Sequence, residues 1–179
     1  MALQTLADLF VNELKDLYSA EHQLIKALPK MAKAADNMQL RDAFNMHLKQ
    51  TEEHARRIEE IFNAGLDASP KGKKCVAMEG LVAEGKEILD EGGAPDVVDA
   101  ALIGAAQRVE HYEIAGYGTA RAHAQQLGYA NAARLLEATL NEESAANEKL
   151  SQIAEASVNV SAAQKHEGNG SYEAMRSHR

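Results

Sequence analysis

An all-α fold, a four-helix bundle with one short crossover helix, is what the sequence predicts, and three observations predict it. Apolar residues recur in steps of three and four along four long stretches, the spacing of one face of an α-helix. Aromatics are only 4% of the 179 residues and Trp is missing, while Ala, Leu, Glu and Lys abound. That balance suits packed helices better than strands, which lean on aromatic and β-branched residues. The turn signals fall so as to make two helical hairpins, one on each side of a long middle connection. Apolar residues at 45% of the chain are enough for one domain with a real core.

The first helix is predicted over about Thr5 to Ala35, with a stripe of Leu6, Phe10, Leu17, Leu24, Leu28 and Met31. Pro29 lies inside it, where it should kink the helix or end its regular part. Asp36-Asn37 supplies a turn into a second helix over about Gln39 to Asn63. Its stripe reads Leu40, Phe44, His47, Thr51, His54, Ile58, Ile61, and Gly65 follows as a C-terminal cap. A loop containing Pro70 leads to a short amphipathic segment, Cys75 to Leu89, which Gly92-Gly93 ends. Pro95 suits the first position of a third helix, over about Asp96 to Leu127. Gly128 stops that helix, and a fourth runs from about Asn131 to Ala156. The bundle thus occupies residues 1–156. Residues 157–179 carry no convincing apolar stripe and read as a polar tail, ordered only if it docks. Two hairpins joined by a long connection with a helix in it form the ferritin-like arrangement.

Composition also excludes function classes. A formal charge of −8 argues against a nucleic-acid binder, which needs a basic face. No apolar run approaches the roughly 20 residues that span a bilayer, and the N-terminus has no basic region of the kind that opens a secretory signal. Cys75 is the single cysteine, so no intrachain disulfide can form and nothing points to an oxidising compartment. The expectation is a cytoplasmic protein without a membrane or nucleic-acid partner.

Each long helix breaks its stripe with a polar residue near its middle: Glu21 on the first, His54 on the second, Glu110 and Glu113 on the third, Glu143 on the fourth. Glu21 and His54 are 33 residues apart, and so are Glu110 and Glu143. With turns near residues 37 and 128, and a rise of about 1.5 Å per residue, each pair should lie at one height. The matched offsets place all five residues in one layer. Several carboxylates there lose hydration and repel, at several kcal/mol per uncompensated ion. Protonation, cations or metal would relieve this. The stripes offer few cations beyond His54 and Arg57, whereas two divalent ions would neutralise four carboxylates. Carboxylate with imidazole suits iron or manganese, so Glu21, His54, Glu110, Glu113 and Glu143 are the candidate ligands of two ions. His47 and Thr51 are expected to make structural hydrogen bonds, Glu79 to lie on the surface, and His111 to be exposed or behind the ligands. Tyr18, Tyr112 and Tyr117 are expected in the core, where a tyrosine beside iron can also donate a hydrogen bond or an electron.

With these residues in place, the chain resembles the YciF/YciE group of ferritin-like bacterial stress proteins, the DUF892 family, and is closer to its YciF branch. The stretches that carry the likeness are DLYSAEHQLIKALPKMA, HLKQTEEHARRIE, KCVAMEGL, DAALIGAAQRVEHYEIAGYGT and LEATLNEESAANEKL, which reach across nearly all of residues 5–156. The resemblance implies a rubrerythrin-type bundle, a homodimer and a role in bacterial stress. One departure stands out. Di-iron bundles of this type usually carry Glu-x-x-His on two helices. Here Arg57 stands three residues after His54 and Ala146 three after Glu143, and only Glu110-x-x-Glu113 keeps a doubled ligand. Two functions follow: a metal protein that reacts with O2 or peroxide or sequesters metal, or a non-catalytic dimeric module whose polar layer is salt-bridged, with Arg57 paired to a carboxylate.

Overall fold

The computed structural model describes residues 3–66 and 68–164, and among them every regular element is helical. Helix α1 spans Leu6–Ala34 and α2 spans Met38–Asn63. The crossover helix α3 spans Val76–Glu91, α4 Pro95–Gln126 and α5 Ala130–Ile153. The chain is therefore all-α. Helix α1 packs on α2 and α4, and α5 packs on α4 and α2, so the four long helices close a ring. Helix α3 lies outside it against α1 and α4.

The ends follow local chemistry. At the start of α1, the Thr5 hydroxyl accepts from the Asp8 amide (3.1 Å) while the Asp8 carboxylate accepts from the Thr5 amide (2.9 Å). This reciprocal cap satisfies two amides with no helical partner and is worth about 1 kcal/mol. Asn37 caps α2 through its side-chain oxygen (3.1 Å to the Leu40 amide). Buried Asp99 on α4 accepts from the amides of Asp36 (3.0 Å) and Asn37 (2.7 Å), pinning the first turn to the second hairpin. Pro95 sits in the first turn of α4, and Gly128, at φ +76°, permits the tight turn into α5. Helix α1 continues through Pro29 to Ala34, because Pro29 lies on the exposed face, where water can satisfy the carbonyl that loses its partner.

The expected boundary at residue 156 falls inside a helical run. One π-type turn, Ala154–Val158, follows α5 and leads into α6, Asn159–Gln164. Val158 is buried in the core, and the Ser157 hydroxyl accepts from the Asn37 side chain at 3.3 Å. Ala154 and Val158, both buried in the core, hold this segment where no repeating stripe signalled it. The rest of the polar tail lies outside the described residues.

The core is divided along its length. One apolar cluster gathers Leu24, Leu28, Leu40, Phe44, Leu102, Ile103 and Leu150. The other gathers Phe10, Leu14, Leu17, Ile58, Ile61, Tyr117 and Leu136. Between them, on all four helices, stand the buried polar residues. The fold thus seals a charged layer with hydrocarbon above and below.

Candidate metal centre

All five residues expected in the layer are there. Glu21, His54, Glu113 and Glu143 are fully buried and Glu110 is 2% exposed. His47 joins them. Donor atoms of His47, Glu110, Glu113 and Glu143 lie within 4.8 Å of one another, and so do those of Glu21, His54 and Glu143. Glu143 belongs to both groups, each of which can hold a metal ion.

Each imidazole is aimed by a second residue. His54 Nε2 lies 2.7 Å from Glu142 Oε2, and Glu142 is gripped by Arg57 through Nη1 (2.7 Å) and Nη2 (3.0 Å). The opposite nitrogen, His54 Nδ1, faces Glu143 Oε1 at 2.8 Å and Glu21 Oε1 at 3.7 Å. His47 Nδ1 lies 3.4 Å from Gln50 Oε1, and its Nε2 faces Glu110 (3.3 Å) and Glu143 (3.5 Å). One ring nitrogen held by an outer partner and the other turned inward is the usual arrangement of a ligating histidine. The Tyr117 phenol, fully buried, donates to Glu21.

The inward atoms are short of partners. Glu21 Oε2, His47 Nε2, His54 Nδ1, Glu110 Oε2 and both carboxyl oxygens of Glu113 and Glu143 are buried without a hydrogen bond. The 2.8 Å approach of His54 Nδ1 to Glu143 is therefore a contact out of line for a hydrogen bond. Buried polar groups are nearly always satisfied, and unsatisfied ones cost about 1–3 kcal/mol each. A cation between them would satisfy them together. The donor set, carboxylate oxygen and imidazole nitrogen, is that of iron or manganese sites.

Without metal, protonation carries the balance. Burial, aided by the Glu143 charge, lifts Glu21 to about 8 against the pull of His54. Burial and neighbouring carboxylates hold Glu110 and Glu113 well above the carboxylate range. Burial drives His47 down, since the nearby carboxylates do not offset its lost hydration. At His54 burial acts downward too, yet the carboxylates of Glu143, Glu21 and Glu142 overcome it and raise the ring to about 9. Burial pushes Glu143 up, but His54 and His47 win and leave it below the ordinary value. The metal-free layer thus centres on a His54 cation and a Glu143 anion among neutral carboxyls.

Five residues of this layer are those the sequence places there; His47, expected to make structural hydrogen bonds, contacts Gln50 and also turns Nε2 into the layer. The signal was present: His47 precedes His54 by seven residues, two turns along the same stripe. Thr51 does have a structural role, donating to the His47 carbonyl (3.0 Å). Glu142, beside Glu143 on the outer face, holds His54 and Arg57. Glu79 is exposed and paired with Lys74, and His111 is exposed with Nδ1 against the Gln107 carbonyl. Tyr18 and Tyr117 are buried, and Tyr112 is half-buried, donating to Asp16.

Comparison with known proteins agrees with this architecture. Residues 5–163 match the family described as a domain of unknown function, DUF892. Over 165 residues the chain is 47% identical to Protein YciF of Escherichia coli strain K12, covering 92% of this chain and 99% of that one. The crystal structure of the E. coli stress protein YciF superposes with a TM-score of 0.84, covering 87% of this chain and 98% of that one. YcfI of Rhodopseudomonas palustris, described as a candidate structural protein, is 43% identical with a TM-score of 0.81, over 85% and 96%. A Xanthomonas campestris protein, 20% identical over 90% and 99%, shares the fold at 0.72. No helix among the described residues is long and apolar enough to cross a membrane.

Proposed function

The chain belongs to the DUF892 family, and on that basis we propose that it is a ferritin-like stress protein with a two-metal carboxylate centre. Glu21, His54 and Glu143 would hold one ion, and His47, Glu110, Glu113 and Glu143 the other, with Glu143 common to both. Iron or manganese there supplies redox chemistry toward O2 or peroxide, or is simply sequestered. The residues around the ligands do the rest. Glu142 and Gln50 fix the imidazole orientations, Tyr117 holds Glu21, and the two apolar clusters keep water out. Family likeness supports a cytoplasmic homodimer, for which light scattering of the purified protein is the check.

The observation that carries this reading is the convergence of buried, unpartnered oxygen and nitrogen atoms from four helices. A structural salt-bridge layer is the second reading, favoured by the Arg57–Glu142–His54 chain of contacts. That chain, however, lies to one side and leaves Glu113 and Glu110 Oε2 without partners. Anaerobic titration of metal-free protein with Fe(II), with bound metal measured per chain, decides between them. About two ions per chain are expected, and admission of O2 or peroxide should then change the near-ultraviolet absorbance. Absence of stoichiometric binding, with stability rising in Glu110→Gln/Glu113→Gln, would leave the salt-bridged module. Binding without an absorbance change reduces the function to sequestration.

A further inference from the structure

Among the described residues of the buried layer, His47 and Glu110 keep the most contact with the outside. Glu21, Thr51, His54, Glu113, Glu143 and Tyr117 are fully enclosed, whereas His47 and Glu110 keep 5% and 2% of their surface. Those two residues form the inner wall of a cavity of about 80 Å³ between α2 and α5. Met46, Ala145 and Lys149 form its exposed outer part, and Ala146 stands between. Ala146 is three residues after Glu143, one turn along the same face of α5. This is where a Glu-x-x-His pattern would set its histidine. A methyl group stands there instead, and the cavity occupies the space a ring would take.

We propose that this cavity is the passage and docking pocket for a small uncharged oxidant of two heavy atoms, hydrogen peroxide or dioxygen, on its way to the His47–Glu110 edge of the centre. This rests on the two-metal reading above. That volume is several times the roughly 10–15 Å³ that one water needs, which is room for such a ligand. Unpartnered His47 Nε2 and Glu110 Oε2 mark where the passage reaches the ligands. On the opposite flank the Arg57–Glu142 pair covers His54, which is fully buried. The side chain at 146, in the lining between the outside and His47, therefore sets the rate of entry.

The test uses nitric oxide, an uncharged two-atom ligand of ferrous iron, added anaerobically to the Fe(II)-loaded protein. Metal content per chain is measured first, then the rate of appearance of the iron–nitrosyl absorption and electron-resonance signal. Across Ala146→Gly, wild type, Ala146→Val and Ala146→Leu the rate should fall in that order, at least tenfold between wild type and Ala146→Leu, at constant metal content. Equal rates across the series at equal metal content overturn the passage and leave the two-metal reading intact. Wild-type protein that binds no iron overturns both. Should Ala146→Leu not fold, the Gly, Ala and Val members still give the order, and a flat response among them counts against the proposal.

Discussion

The two groups of ligands share Glu143 but are built differently. Around Glu21 and His54 each side chain has one firm outer hold: Arg57 grips Glu142, Glu142 holds His54 Nε2 at 2.7 Å, and Tyr117 holds Glu21, leaving Glu21 Oε2 and His54 Nδ1 without a hydrogen bond on the inner side. Around Glu110 and Glu113 little is braced. His47 has a 3.4 Å contact to Gln50, three carboxyl oxygens lack partners, and a cavity adjoins. Preformed ligand geometry raises affinity because less order is lost on binding, so under the two-metal proposal the first group would retain its ion and the second would exchange with what comes from outside. The same polar layer is a closed half and an open half.

The largest break in that comparison is at the shared residue. Glu143→Ala should reduce bound Fe(II) from about two ions per chain to nearly none, measured by elemental analysis after desalting. It also removes the carboxylate 2.8 Å from Nδ1 of the His54 cation, so Glu143→Gln, which keeps the volume, should be analysed beside it. Retention of one full equivalent in both variants would mean that the halves do not share a ligand.

Next in size are changes confined to one half. His47→Ala should leave about one ion per chain, held by Glu21, His54 and Glu143. Glu21→Gln should also leave about one, held on the open side. A loss of both ions from either substitution would show that the halves cannot load separately.

How much of this was legible in the sequence depends on the period of each signal. Apart from the end of α5, expected at Ala156 and found at Ile153, the helix ends were readable within one or two residues because caps and breakers such as Asn37, Pro95 and Gly128 coincide with the ends of apolar stripes. The layer was readable because equal spacing in two hairpins is a geometric statement that needs no tertiary detail. His47 does contact Gln50, as its stripe position allows for a buried hydrogen-bonding histidine, but that its Nε2 also faces Glu110 and Glu143 depends on packing across helices. Glu142 and Gln50 were not legible as supports of the imidazoles. Their role depends on which way two rings turn, and that is set by packing across helices, not by periodicity. The turn after Ile153 is similar, since two buried residues, Ala154 and Val158, are too few to form a detectable repeat.

Acidity offers a third, intermediate test, because the layer is protonated when empty. His54 is raised from 6.5 to about 9, so its contribution to stability is full below 6.5 and is lost as pH rises through 9. Glu21 is raised from 4.5 to about 8, so what its neutral form contributes is full below 4.5 and fades through 8. Both act in the same direction between pH 6.5 and 9. Metal-free protein in chelator should therefore melt at lower temperature at pH 9 than at pH 6.5. Metal binding must displace these protons, so it should tighten over that interval and release protons measurably in weak buffer. With excess Mn(II) the slope of melting temperature against pH should flatten or reverse. A metal-free melting temperature that does not change from 6.5 to 9 would contradict the protonated layer.

The smallest effects come from the outer partners of the two imidazoles, and they measure the difference between the halves most directly. Loss of such a partner typically weakens metal binding 10–100-fold. Glu142→Gln should fall in that range at the closed half, because it replaces a 2.7 Å charged contact and frees Arg57 from its partner on α5. Gln50→Ala should cost no more than a few-fold at the open half, since a 3.4 Å contact is near the limit of a hydrogen bond. Chelator competition resolves the two affinities when each substitution is placed in a background that loads only one half, Glu142→Gln with His47→Ala and Gln50→Ala with Glu21→Gln. The His54 titration, followed by NMR in the metal-free protein, supplies an independent reading: Glu142→Gln should lower it, because one of the carboxylates that raise it is gone. Equal losses from the two substitutions would mean that bracing does not distinguish the halves, and that the cavity beside His47 is the difference that remains.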